Sequence, residues 1–124
     1  GLGDVYKRQV IKLMQRSRIV INNTNILDGM HERIFTAMLA GAVCVTNEYT
    51  LLSKLLVPEK EIVTFPLNRL EELPLQIKDL LEHEERAAEI AEAGYQKALA
   101  HHTWQHRGEQ IVKWMEDGGD FQYE

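Results

Sequence analysis

The stretch IVINNTNILDGMHERIFTAMLAGAVCVTN, residues 19–47, decides the fold. Ile19-Val20-Ile21 is a short β-branched run, and Asn22-Asn23-Thr24-Asn25 supplies turn formers. Asp28-Gly29 then opens a helix that carries Ile34, Phe35, Met38 and Leu39 on one side, and Gly41 ends it. A second apolar run, Val43-Cys44-Val45-Thr46, follows at once and closes on Asn47. Two short, nearly all-apolar strands joined through a helix mark a β-α-β unit in a parallel sheet covered on both faces. Such sheets bind ligands beyond the carboxyl ends of their strands. Those ends are Asn22 to Arg33 and Asn47 to Thr50, so Asn23 and Asn47 join the candidate site on position alone.

Outward from this unit the periodicity continues in both directions. Val10, Ile11, Leu13 and Met14 share a helical face that leads into the first strand and stops at Ser17-Arg18. Thr50 to Leu56 reads as a short helix with its leucines inward, ended by Pro58, and Ile62 to Phe65 as a third strand. Asn68 is placed to cap an amphipathic helix bearing Leu70, Leu73, Ile77, Leu80 and Leu81; Pro74 is tolerable there if the regular helix begins near Leu73. Glu84 to Ala100 is a helix with a narrow stripe of Ala87, Ile90, Ala91, Gly94 and Ala98, suited to close packing. Thr103 caps a last helix with Trp104, Gly108, Ile111 and Met115 along one side and Trp114 beside them. The expected fold is α/β: a partial Rossmann-like half-domain of three parallel strands with flanking helices and a helical C-terminus. A full doubly wound sheet has about six strands.

The chain has 124 residues, with 14 Lys+Arg against 19 Asp+Glu, for a net charge of -5. No basic face is visible, which argues against nucleic acid as a partner. No apolar run is long enough to span a membrane, and no signal peptide is seen. The single cysteine, Cys44, cannot form a disulfide within the chain and favours a reducing, cytoplasmic setting. Gly1 to Gln9 reads as a non-native, adaptor-derived leader on a piece of a longer protein, leaving residues 10–117 as the domain and 118–124 as a polar tail.

The chemistry-bearing run is Asp28-Gly29-Met30-His31-Glu32-Arg33. It straddles a helix N-terminus, where unpaired N–H groups and the helix dipole attract anions, and His31 and Arg33 add charge or hydrogen bonds for a phosphate. The alternative is that Asp28 merely caps the helix and the charges are solvated. His101-His102 read as solvated helix-end histidines, since a zinc site needs more ligands than are visible. Cys44 reads as a small core residue, and the two tryptophans as core or interface anchors.

The segment Asp28 to Thr46, followed by Ile90-Ala91-Glu92-Ala93-Gly94-Tyr95 and His102-Thr103-Trp104-Gln105-His106-Arg107, resembles GT-B glycosyltransferases. The likeness is strongest to the group 1 glycosyltransferase-like family that includes spore-maturation and spore-coat enzymes. In related retaining enzymes, two Glu residues flank this turn and helix start, the first on the donor sugar and the second on the nucleotide ribose. The corresponding positions are Asp28 and Thr36. Asp28 can accept from sugar hydroxyls, whereas Thr36 replaces a carboxylate with one short hydroxyl, so ribose binding should be weaker or shared with other groups. The resemblance further implies backbone N–H groups near Gly29 to Glu32 facing the donor diphosphate with Arg33 in support, no bound metal or cofactor, and an acceptor held by a missing N-terminal domain. Any peripheral membrane association would come through the parent protein. A nucleotide-sugar-binding or assembly module without catalysis is the alternative, kept open by Thr36.

Overall fold

The computed structural model describes residues 1–24 and 31–121. Along the chain come α1 (Leu2–Arg16), β1 (Ile19–Asn22), α2 (Glu32–Leu39), β2 (Val43–Asn47), α3 (Thr50–Leu55) and β3 (Val63–Phe65). A 3-10 turn (Leu67–Arg69) then leads to α4 (Glu72–Glu82), α5 (Glu84–His101) and α6 (Trp104–Asp117). The three strands form one parallel sheet in the order β1-β2-β3. Ile19 pairs with Val43 and Asn22 with Thr46, while Val45 pairs with Val63 and Asn47 with Phe65. This is the expected α/β half-sheet.

Strand alternation distributes the core over two faces, because successive side chains of a strand point to opposite sides. Cys44 packs with Ile34, Phe35, Met38, Leu52, Leu56 and Met14, beneath α2, α3 and α1. Val43, Val45, Val63 and Phe65 pack with Leu80 and Ile90 on the other side, beneath α4 and α5. The central strand β2 is therefore buried along its whole length, as a nearly all-apolar run predicts. Helix α5 reaches both layers, Ile90 belonging to one and Ala98 to the other.

Gly94 explains how α5 gets so close. A β-carbon there would lie 2.6 Å from the carbonyl oxygen of Glu61 and 3.3 Å from Met38 Cε. At the end of α2, Gly41 takes φ +88°, a left-handed conformation that side chains disfavour, and turns the chain into β2.

Several boundaries differ from the sequence reading. Helix α1 begins at Leu2, so the run assigned to a leader is helical; Leu2, Val5, Tyr6, Val10 and Leu13 are all exposed, and only Met14 of this helix is buried. Asn68 caps nothing, since it lies inside the 3-10 turn, and α4 starts after Glu71 without a side-chain cap. Pro74 then falls in the first turn of α4, where its missing N–H has no intrahelical partner to lose. Leu70 and Leu81, expected on the inward stripe of that helix, are exposed, while Leu80 is buried. Among the described residues no helix is long and apolar enough to cross a membrane.

Candidate functional site

At the carboxyl ends of β1 and β2 four polar residues close on one another. Asn22 Nδ2 donates to Thr24 Oγ1 and to Thr46 Oγ1, both at 3.1 Å. Asn47 uses both ends of its amide on the backbone of Thr24: Oδ1 accepts from the N–H at 2.7 Å and Nδ2 donates to the carbonyl at 3.2 Å. Asn47 is 3% exposed, so these are well-shielded bonds that pin the chain as it leaves β1. Asn23, by contrast, is exposed. Asn47, expected at the donor site, thus ties Thr24, just past β1, to the end of β2; Asp28 and Gly29 were expected there too. Those two residues lie outside the described residues.

The N-terminus of α2 follows. His31 is its cap, with Nδ1 accepting from the Arg33 backbone N–H at 3.1 Å. This corrects the expectation that Asp28 caps the helix and that Asp28-Gly29 opens it; the helix starts at Glu32 because the imidazole supplies the acceptor that a first-turn N–H requires. With Nδ1 accepting, a neutral His31 carries its proton on Nε2, so Arg33 Nη2, 3.4 Å away, gains no hydrogen bond from it. Arg33 is exposed and forms no ion pair among the described residues. A cation in the first turn opposes the helix dipole, an arrangement that an anion at this end would relieve. Thr36, one turn on, donates its hydroxyl to the Glu32 carbonyl at 3.0 Å, which leaves its oxygen free to accept.

Glu32, Phe35, Thr36 and Leu39 of α2 form one wall of a groove of about 200 Å³, and His102, Thr103, Trp104 and Arg107 form the other. Sequence reasoning placed Glu32 and Thr36 at the site but missed this second wall. His102, expected to be solvated, is 4% exposed. Its ring stacks on Phe35 with centroids 4.5 Å apart and planes 18° apart, and Arg107 lies with its guanidinium carbon 5.3 Å from the Phe35 centroid. Arg107 Nη2 is 2.6 Å from His102 Nδ1. Arginine only donates, so Nδ1 accepts and the neutral ring bears its proton on Nε2. Burial, then the Arg107 cation, with His101, Lys97 and His106 adding to it, push the His102 pKa down to about 4. The His102 Nε2 atom is buried without a hydrogen-bond partner among the described residues.

Thr103 holds this wall in place as the expected cap of α6, accepting from the His106 N–H at 3.3 Å, while the Thr103 N–H donates to His106 Nδ1 at 3.2 Å. In the sequence the pair appeared only within the run His102 to Arg107 that carries the family resemblance, with no site role given to either residue. Phe35, which makes the stack, is far away in the chain and looked like core. Cys44 is buried, its thiol pushed up to about 12 by burial, as suits an inert core residue. Among the described residues no three His, Cys, Asp or Glu side chains are grouped as metal ligands.

An open sheet of three parallel strands with helices packed on both faces is a partial Rossmann-like α/β fold. Residues 1–113 match the model of the glycosyl transferase-like family, and the chain belongs to that family. No curated protein and no solved structure gives a significant match.

Proposed function

We propose that the chain is the nucleotide-sugar-binding, C-terminal part of a GT-B glycosyltransferase of the spore-maturation type, working in the cytoplasm on an acceptor held by an N-terminal domain. The observation that carries this reading is the Arg33 cation in the first turn of α2, which has no ion pair among the described residues and lies just past the carboxyl ends of the sheet. A departing nucleoside diphosphate builds negative charge, and fixed N–H dipoles with a cation beside them stabilise it without reorganising. Asp28 accepts from hydroxyls of the donor sugar. Gly29, His31 and Glu32 supply backbone N–H groups toward the diphosphate, Arg33 adds its charge, and Thr36 accepts from the ribose. Asn23 and Asn47 complete the donor-binding set at the carboxyl ends of β1 and β2. No metal or cofactor is required, since the leaving group is neutralised by the protein.

In the full-length parent, Asp28→Ala and Thr36→Val should each weaken use of the sugar donor while unfolding stays cooperative. Each lost hydrogen bond is worth about 0.5–1.5 kcal/mol, and more for the carboxylate. The assay is a screen of UDP-, GDP-, dTDP- and CMP-sugars. Wild-type turnover and affinity in both variants would remove the assigned site. Tight sugar-donor binding without transfer to any acceptor would favour a sensor or assembly module instead.

A further inference from the structure

Helix α6 is attached to the fold by one side: Arg107 reaches His102 and Phe35, and Gln110 is its buried residue. Trp104, Gly108, Ile111 and Met115 lie on another side and recur at four, three and four residues, the spacing of a helix–helix seam. Trp104 is 71%, Ile111 45% and Met115 74% exposed, and nothing among the described residues comes within 4 Å of where a Gly108 β-carbon would sit. Trp114 is engaged locally, its indole N–H donating to the Gly119 carbonyl at 2.6 Å and its ring edge-on to Phe121. The seam is thus three large apolar side chains around a glycine. A glycine there grants a second helix the close approach that Gly94 grants α5 against Glu61. The two ends of α6 also differ in charge. Lys97 and Arg107 lie near His102 beside its start, whereas Glu116, Asp117 and Asp120 lie at and beyond its end. Two copies of α6 laid antiparallel bring the basic end of each onto the acidic end of the other and oppose their dipoles; a parallel pair sets like charge beside like.

We propose that the exposed face of α6 is a self-association surface, on which a second copy of the chain lays its own α6 antiparallel about a twofold axis, Trp104 of each against Met115 of the other and Gly108 against Ile111. The inference does not depend on the nucleotide-sugar reading. One face of a 14-residue helix, about 21 Å long, falls short of the roughly 800 Å² per partner that a standard interface buries, so the dimer is weak and exchanges with monomer.

Sedimentation equilibrium of the whole chain over a concentration series tests this. Wild type should pass from monomer to dimer. Ile111→Glu, on the seam, should raise the dissociation constant about tenfold or more, whereas Leu75→Glu, at an exposed leucine of α4, should stay within about twofold. Both positions are exposed, so neither variant empties the core. Glu116→Lys with Asp117→Lys should weaken the dimer several-fold at low salt and much less at high salt, as screened charges do, even though it brings the net charge nearer zero. Orientation is read from a nitroxide on Gln105→Cys in one copy and the indole ¹H–¹⁵N signals of a ¹⁵N-labelled second copy. The antiparallel pair broadens Trp114 before Trp104, and a parallel pair does the reverse. Cys44, buried and with its thiol pushed up to about 12, does not compete for the label. A chain that stays monomeric at every concentration overturns the proposal. So does an Ile111→Glu chain that associates like wild type, an equal loss in Leu75→Glu, or broadening of Trp104 first.

Discussion

Helices α5 and α6 lie next to each other in the chain and both carry an apolar stripe, yet they are used in opposite ways. On α5 the stripe is mostly alanine and glycine, and Ile90, Gly94 and Ala98 are buried against the sheet and α2. On α6 the stripe is Trp104, Ile111 and Met115 with Trp114 beside it, and all four are exposed; the buried residue of that helix is the polar Gln110. Side-chain size therefore did not select the packed helix. Small residues let the α5 backbone approach within reach of the Glu61 carbonyl, and close approach is what excludes water.

The sharpest way to break this comparison is to give α5 a side chain at its contact point. Gly94→Val puts a β-carbon where 2.6 Å separates it from a backbone oxygen, and neither the helix nor Glu61 can yield cheaply. Destabilisation of about 3 kcal/mol is expected, at the upper end of overpacking costs, read as a lower urea midpoint. An unchanged midpoint would show that α5 is not held at Gly94.

The next effect in size belongs to the junction of the two helices. The folded pKa of His102 is about 4, against about 6.5 for an unperturbed histidine. Because the folded value is the lower one, the unfolded chain takes up the proton first as pH falls. Stability present above about pH 6.5 is thus lost progressively down to about pH 4, by about 2 kcal/mol after discounting for solvent screening. Denaturation midpoints compared across this window for wild type and His102→Phe should show a shallower slope in the variant. Equal slopes would mean that His102 is not kept neutral.

The smallest effect has the opposite sign. Gly108 in α6 has nothing within 4 Å of where its β-carbon would sit. Gly108→Ala should therefore stabilise by about 0.5–1 kcal/mol, the ordinary helix-propensity gain, raising the midpoint that Gly94→Val lowers. A destabilised Gly108→Ala would mean that α6 is covered at that face.

The sheet was legible because its signal is local: Ile19 to Ile21 and Val43 to Thr46 are continuous apolar runs, each closed by asparagine, with a helical period between them. The Thr103 cap was legible for the same reason, as was the close-packing stripe of α5. Asn68 misled because an asparagine preceding a helix is equally suited to a turn, and here a 3-10 turn intervenes. Asp28 misled because His31, three residues on, offers an acceptor of its own. Of the second wall of the groove only the Thr103 cap was legible. His102 next to a helix cap reads as a solvated side chain until Phe35 is brought beneath it and Arg107 folds back onto it.

Alternation, periodicity and turn chemistry act between residues a few positions apart, so the sequence by itself determined the parallel β-α-β core and the succession of helices. Burial and protonation depend on neighbours that meet only when distant segments pack. Tertiary structure alone therefore decided that Asn47 clamps Thr24, that α6 keeps its tryptophans near water, and that His102 is a buried, neutral imidazole whose orientation is set by an arginine.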